Sequence, residues 1–458
     1  MKQMAYSQEE IDQAAAVDIV GLAQEHGMEL TNETERFYRL VKHDSLVIDR
    51  AKNYFHWNSQ GFGGNSIKFA QTFLTDQSKP DSARFKDAVS LLLNNKNLSA
   101  SEVTYQHTPY VFDSRKVSPD FSQAKKYLTE QRGLSPSLVD NLHNEGLIQQ
   151  NKSGSVLFLW RDPETKEVMG SSIQGTQIDH ERYGKRGTFK RVDKDSTTGY
   201  GFAVGPKDAD TLHFFESSID LVSYLQLKGR DPRAQYVSME GLKNEVISHY
   251  LADNLNARPT VPDKIVLNVD NDAAGQRFSD QYLLLSWIDR RNGKELAVER
   301  ELPGDEQIPL AQWRDYEQSA TKHGVNPYVL YAIDKASSNL QPGVVANGQK
   351  IHTPFTDQAS HRVATEEVAT LVPPNFSGSS LSQWARMARS WNEGNEAGVQ
   401  RFGLKCQHYY NQATQGMPRK IVRDSEPHIK DWNDITRSNL HREMRFGPQL
   451  GQKGLERE

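Results

Sequence analysis

A chain of 458 residues is long enough to bury several hydrophobic cores, and three or four domains are expected. Its 55 Lys+Arg nearly balance 59 Asp+Glu, so bulk charge excludes general attraction to nucleic acid, and any such contact needs a local basic face. The single cysteine, Cys406, excludes internal disulfides and every zinc site built on two or more thiolates. From the N-terminus, residues 8–30 read as helix, with apolar residues at helical spacing until Gly27 interrupts. Residues 37–69 read as short strands and turns around Gly61, Gly63 and Gly64, and residues 81–95 as another helix. A polar, Pro-punctuated linker is expected over 101–119. Residues 121–147 read as two helices broken at Gly133, with Ser135 and Pro136 starting the second. Residues 155–160 and 168–173 form a strand pair about a turn at 162–166, and 182–191 is a basic, Gly-containing loop. The polar N-terminus and the lack of any apolar run near ~20 residues make a cytoplasmic protein the default.

Residues 208–269 alternate strand and helix patterns, which predicts a parallel sheet with right-handed crossovers. Two hydrophobic runs there stop on carboxylates and are followed by helix patterns. FFESSIDLVSYL (214–225) ends its run with Glu216, and VLNVDNDAAG (266–275) ends its run with Asp270 and Asp272. Carboxylates at the C-terminal ends of neighbouring parallel strands converge on the crevice where open α/β sheets bind ligands. Two of them about 4 Å apart repel by ~4 kcal/mol at an effective dielectric near 20. A cation between them relieves this, and hard oxygen ligands suit Mg2+ or Mn2+. The pattern points to a divalent-metal site for phosphoryl transfer.

Asp220 stands at i+4 from Glu216, so both can face one cleft. Taken alone, Glu216 and Asp220 also read as a solvated helix N-terminus, where the dipole favours acids. The D-x-D pair followed by A-A-G shifts the balance, since it leaves two carboxylates on one side of the chain and a small residue where backbone passes closely. A D-N-D turn without metal is the competing reading. A third acidic piece, KDWND (430–434), follows an expected strand at 420–422 and offers Asp431 and Asp434 as further ligands, direct or through water; a surface loop is its alternative.

In this order the three pieces resemble the TOPRIM domain shared by bacterial DnaG-type primases, topoisomerases and some nucleases. The resemblance implies a general acid/base or metal role for Glu216 and divalent-metal binding by Asp270 and Asp272. It matches Asp220 to the acid of the primase E-G-x-x-D pattern and Asp431 to the first Asp of the last primase motif, while Asn433 stands where that motif often has another Asp. AVDIVGLAQEHGMEL, FYRLVKHDS and YFHWNSQGFGGNSIKF are similar to the zinc ribbon that begins these primases. The ligand positions there carry Leu40, His43, Trp57 and Gln60 here. One imidazole cannot hold a structural zinc, which needs about four ligands; no zinc is expected, and a packed core should take its place.

YLTEQRGLSPSLVDNL and VLFLWRDPETKEVMGSSIQG resemble the segment before TOPRIM in primases, whose basic ridge carries the template. Arg161 matches its hairpin arginine, Lys190 or Arg191 its K-Y-x-N lysine, and Gln174 replaces its G-G-R arginine. Lys185, Arg186, Lys190 and Arg191 read alone as a solubilising loop; beside a carboxylate cleft they read as a phosphate-tracking surface. The chain looks most like zinc-less TOPRIM proteins of conjugative plasmids and integrative elements of Gram-positive bacteria, which carry a domain of unknown function just before TOPRIM.

The expectation is an α/β multidomain protein with a TOPRIM core, a Rossmann-like parallel sheet. A degenerate zinc-ribbon-like domain should span 1–100, the pre-TOPRIM segment 118–205, TOPRIM 206–300 plus 417–440, a mainly helical insertion 301–416, and a flexible tail 441–458. The resemblance implies primer synthesis on single-stranded DNA from nucleoside triphosphates, with Mg2+ or Mn2+, no membrane, and other plasmid transfer or replication proteins as partners. A metal-dependent nuclease and a non-catalytic DNA-binding accessory of conjugation are the alternatives. A topoisomerase fits less well, because no tyrosine of the 17 stands out as nucleophile.

Overall fold

The computed structural model describes residues 6–32, 36–57, 62–94, 109–184, 187–283, 287–289, 291–303, 306–338, 340, 355–389, 396–415, 419–423 and 429–446. They fall into two compact units, Met1–Thr108 and Pro109–Glu458. The first unit has helices Gln8–Ala15 and Ile19–Glu25, then a five-stranded antiparallel sheet in sequence order, Leu30–Asn32, Phe37–Leu40, His43–Asp49, Tyr54–Trp57 and Phe62–Gly64. Helices Ser66–Phe73 and Asp81–Asn94 follow. The single helix expected over 8–30 is two. Asp18 accepts from Gly21 N at 3.1 Å and starts a new helix. Asn53 holds the break open, accepting from Ile19 N at 3.0 Å and donating to Val17 O at 2.8 Å. Helix Ser66–Phe73 begins within the stretch expected to be strands and turns up to residue 69.

Close packing explains the glycines: a Cβ on Gly63 would lie 2.4 Å from Phe55 O. His43 packs its ring 4.7 Å from Trp57 and 6.0 Å from Phe73, and Leu40 is buried. Two of the ribbon-like ligand positions therefore sit in aromatic contact, and Gln60 lies outside the described residues.

In the second unit, helix Ser122–Lys126 runs into a π-turn at Tyr127–Gln131 and stops at Gly133, whose φ is +70°. Ser135 caps helix Pro136–Asn144 by accepting from Leu138 N at 3.3 Å. Strands Ile148–Gln150, Val156–Arg161, Val168–Gln174 and Lys190–Val192 make an antiparallel sheet in that order. Lys190 and Arg191 are thus on a strand, paired with Gln174 and Ile173, and the basic stretch is not loop throughout. Lys185 and Arg186 lie outside the described residues.

The next sheet runs Phe202–Val204, Ala234–Ser238, Thr211–Phe215, Lys264–Asn268, Glu295–Arg300, Trp287–Ile288. Its four inner strands are parallel, as βαβ alternation requires; its two edge strands are antiparallel, so the sheet is mixed. Helices Ser218–Lys228, Asn244–Ala257 and Ala273–Leu283 connect them. One face buries Leu212, Phe214, Val237, Ile265 and Leu267 against Tyr250 and Phe278. The other buries Phe215 and Tyr236 with Leu221, Leu225 and Trp432, and with Val156, Phe158 and Trp160 of the preceding sheet. The two sheets share one core, which fixes the basic strand relative to the strand ends.

Beyond it, strand Glu306–Pro309 pairs in parallel with Arg419–Val422. Helices Leu310–His323, Pro327–Ser338, Gln358–Leu371, Leu381–Arg389 and Glu396–Thr414 lie between them in sequence and pack about Tyr316, Trp384 and Phe402. The chain then returns in helix Trp432–Phe446, with Trp432 against Tyr224 at 4.8 Å. That helix runs past residue 440; the expected tail from 447 onward, like residues 341–354, lies outside the described residues. Among the described residues, no helix is long and apolar enough to cross a membrane.

Candidate active site

Strand Lys264–Asn268 is apolar because both of its faces are covered, and its end delivers Asp270 and Asp272 into a turn. Asp272 caps helix Ala273–Leu283, accepting from Ala274 N and Gly275 N, both at 2.9 Å. A Cβ on Gly275 would lie 2.1 Å from Asp270 O, so only glycine lets the helix start so close to the strand end. Arg300 Nη2 donates to the same carbonyl at 2.9 Å.

Glu216 ends the neighbouring strand Thr211–Phe215, and its carbonyl accepts from Gly241 N at 2.8 Å. Its Oε2 is fully buried and has no hydrogen-bond partner. Burial, then the charges of Asp270 and Asp272, push the Glu216 carboxyl well above the usual range. Asp220 is buried one turn on, accepting from Ser217 Oγ at 2.5 Å and from Asn433 N at 3.2 Å. Burial, then Asp431 and Asp270, push it well up also. Burial lifts Asp270 to about 6, against the pull of Lys430. Asp431 is raised by burial and by Asp434. Each of these acids is within electrostatic reach of another: Asp270 and Asp272 act on Glu216, Asp431 and Asp270 on Asp220, and Asp272 and Asp431 on Asp270.

Asp434 is used locally. Its Oδ2 accepts from Lys430 N at 2.9 Å and Asp431 N at 3.4 Å, while Asp431 Oδ1 accepts from Asp434 N at 2.8 Å, a reciprocal cap on helix Trp432–Phe446. Asn433 is a clamp, donating through Nδ2 to Arg132 O at 2.8 Å and Ser223 Oγ at 3.0 Å. Of the basic residues, Lys190 reaches the cleft, where its charge bears on Glu216 and Asp220. Arg161 donates to Gly146 O at 3.1 Å and Lys166 O at 2.8 Å, holding the hairpin. Arg191 lies 3.9 Å from Asp193. Gln174 is tied inward to Thr188 at 2.8 Å.

Sequence reasoning missed two charges. Glu240 is buried in the left-handed region at φ +52°, accepts from Ser238 Oγ at 2.9 Å and Ser218 N at 3.2 Å, and faces Lys190 Nζ at 3.4 Å. Burial opposes its charge, but Lys190 and the serine hydrogen bonds hold the carboxyl below its usual range. It ends strand Ala234–Ser238 just as Glu216 ends its neighbour, so the same strand-to-carboxylate signal marks it. Lys430 places its ammonium 2.9 Å from Asp270 Oδ2 and 3.1 Å from Asp272 Oδ2. Burial would lower its pKa, yet the two carboxylates raise it.

Among the described residues, no three His, Cys, Asp or Glu side chains stand as a ready metal-ligand set; the cation between Asp270 and Asp272 is this lysine. The donors nevertheless fit a hard divalent ion. They are carboxylate oxygens in excess of their counter-charges, and one of them, Glu216 Oε2, is orphaned.

A family model described as a protein of unknown function (DUF3991) matches residues 126–209, and a Toprim-like model matches 213–289. An uncharacterized Bacillus anthracis protein, pXO2-78, is 41% identical over 304 residues, covering 65% of this chain and 85% of that protein. Among solved structures, the Aquifex aeolicus primase (zinc binding and RNA polymerase domains) aligns at 14% identity and a TM-score of 0.25, over 90% of this chain and 98% of that one. The RNA polymerase domain of Mycobacterium tuberculosis primase DnaG, in complex with double-stranded DNA, aligns at 10% identity and a TM-score of 0.28, over 65% and 92%.

Proposed function

Since the chain belongs to the same family as the uncharacterized Bacillus anthracis protein pXO2-78 and carries a Toprim-like domain, we propose that it is a primase-like nucleotidyltransferase. In this reading it builds short primers on single-stranded DNA from nucleoside triphosphates, in the replication or transfer of a mobile element. One observation carries the proposal: buried acids whose proton affinities are raised by burial and mutual repulsion, gathered at the C-terminal ends of parallel strands. Asp270 and Asp272, with Glu216 and Asp431, are the residues that would hold Mg2+ or Mn2+, which supplies Lewis-acid polarisation of a phosphoryl oxygen.

The chain's own groups do the rest. Glu216, at the strand end beside Asp270 and Asp272, is the group placed to accept the proton of an attacking 3′-hydroxyl. Asp220, bound to Ser217 and Asn433, supports the cluster and anchors the last helix to it. Lys190 offers its ammonium to the strand or the triphosphate, steadied by Glu240. Extension on single-stranded DNA with ribonucleotides and Mg2+ is expected from the wild type and not from Asp270→Ala. Identical absence of product from both, across templates and metals, ends the primase reading. Cleavage of DNA with Mn2+ and no nucleotides would assign the same carboxylates to a nuclease. No Mg2+ or Mn2+ binding in the millimolar range would make the chain a binding accessory.

A further inference from the structure

Lys430 takes the two carboxylate oxygens that a bridging cation needs, Oδ2 of Asp270 and Oδ2 of Asp272. The other oxygen of Asp272 is committed to Ala274 N and Gly275 N, so its unshared acceptor capacity points at the lysine. The backbone of Lys430 is fixed on both sides: its carbonyl accepts from Asn271 N at 2.7 Å, and its N–H donates to Asp434 Oδ2 at 2.9 Å. Its side chain is a flexible four-carbon stem, 48% exposed. An anchored backbone with a movable, half-exposed ammonium is the geometry of a tethered ion that can leave without disturbing the turn that holds it.

We propose that Lys430 is a built-in counter-ion that competes with the divalent metal for Asp270 and Asp272. Resting on the metal-site reading above, this adds its regulation: the cleft is partly charge-balanced without metal, and the ion enters only by turning Lys430 out to solvent. A single positive charge is then exchanged for a double one, and the lysine raises the metal concentration at which the site fills. Of the other cations nearby, Arg300 is occupied with the Asp270 carbonyl, and Arg277 acts on Asp272 through its charge without forming an ion pair with it. Among the described residues, no other side chain forms an ion pair with Asp270 or Asp272.

Calorimetric titration of the full chain with Mn2+ alone tests this. Lys430→Met should bind Mn2+ about tenfold more tightly than wild type, a change of one decade in Kd. Lys430→Arg, which keeps the charge, should stay near wild type. Thermal unfolding gives a second readout that needs no turnover: metal-free Lys430→Met should melt below wild type, and Mn2+ should raise its Tm by more. Wild type binding Mn2+ with Lys430→Met equal or weaker overturns the competition and leaves the metal site standing. Absence of binding by wild type and both variants overturns the metal site and the competition together. A Lys430→Met protein that stays unfolded even at saturating Mn2+ also overturns it, because the metal should replace the lost charge.

Discussion

In the helical region, Asp315 and Asp334 are as deeply buried as the acids of the cleft, yet each is fully provided with partners. His361 lies between them, Nδ1 2.7 Å from Asp315 Oδ2 and Nε2 3.0 Å from Asp334 Oδ2. Tyr316 and Ser338 hydroxyls donate to Asp334, and Gln358 and Arg362 to Asp315. Burial opposes the charges, but the hydrogen bonds win: Asp334 is held below its usual range and His361 above. In the cleft the balance goes the other way, with Glu216, Asp220, Asp270 and Asp431 all raised. One network is satisfied and ties three helices together, Leu310–His323, Pro327–Ser338 and Gln358–Leu371. The other gathers acids whose charged forms are opposed by burial and by one another, the arrangement that the proposed metal would relieve.

The sharpest way to break this contrast is to remove one member from each cluster. His361→Ala takes the bridging imidazole from two buried carboxylates, leaving Asp334 with hydroxyl partners alone, and should cost about 3 kcal/mol in urea unfolding. Asp270→Asn should leave metal-free stability nearly unchanged or slightly improved while eliminating Mn2+ binding by calorimetry. Comparable losses in the two variants would make the cleft an ordinary structural network. Gly275→Ala comes next: its Cβ collides with Asp270 O, so about 2 kcal/mol of stability should be lost together with metal affinity.

The pH dependence is a smaller effect with a definite sign. Asp270 titrates at about 6 in the folded chain and ~3.9 when unfolded. Its raised value adds stability that is complete below pH ~3.9 and lost as pH rises through about 6; Glu216 and Asp220 extend the loss upward. Metal-free wild type should therefore lose stability relative to Asp270→Asn between pH 4 and 8, and Mg2+ should restore it at pH 8. Asp334, depressed, behaves oppositely: its contribution is present above ~3.9 and falls away on acidification. The smallest change is expected at the basic strand. Lys190→Ala should reduce the salt-dependence slope of single-stranded DNA binding by ~0.7, one phosphate contact. An unchanged slope would confine Lys190 to its pairing with Glu240.

Much of the cleft was legible because hydrophobic runs that stop on acids before a helix are local patterns. Glu216, Asp220, Asp270 and Asp272 follow from them, and Gly275 from the need for close backbone. Glu240 carries the same signal in YVSMEG and went unread because its acid stands beyond a methionine, in a left-handed turn that non-glycine residues rarely adopt. Lys430 was illegible for a different reason: its neighbours in space are Asp270 and Asp272, far back in the sequence, and no periodicity reports where a returning chain will lie. The break at residues 16–18 depends likewise on Asn53, a tertiary hydrogen bond. Lys190 reads as loop by composition and is a strand by pairing with Gln174.

Because Asn433 and Lys430 join the acids only through the final helix, the order of synthesis matters. A ribosome adding ~5–20 residues per second exposes Glu216, Asp270 and Asp272 on the order of ten seconds before the residues that clamp and neutralise them. Throughout that interval the nascent sheet carries Asp270 and Asp272 without Lys430, and a cation from solution is left to balance them.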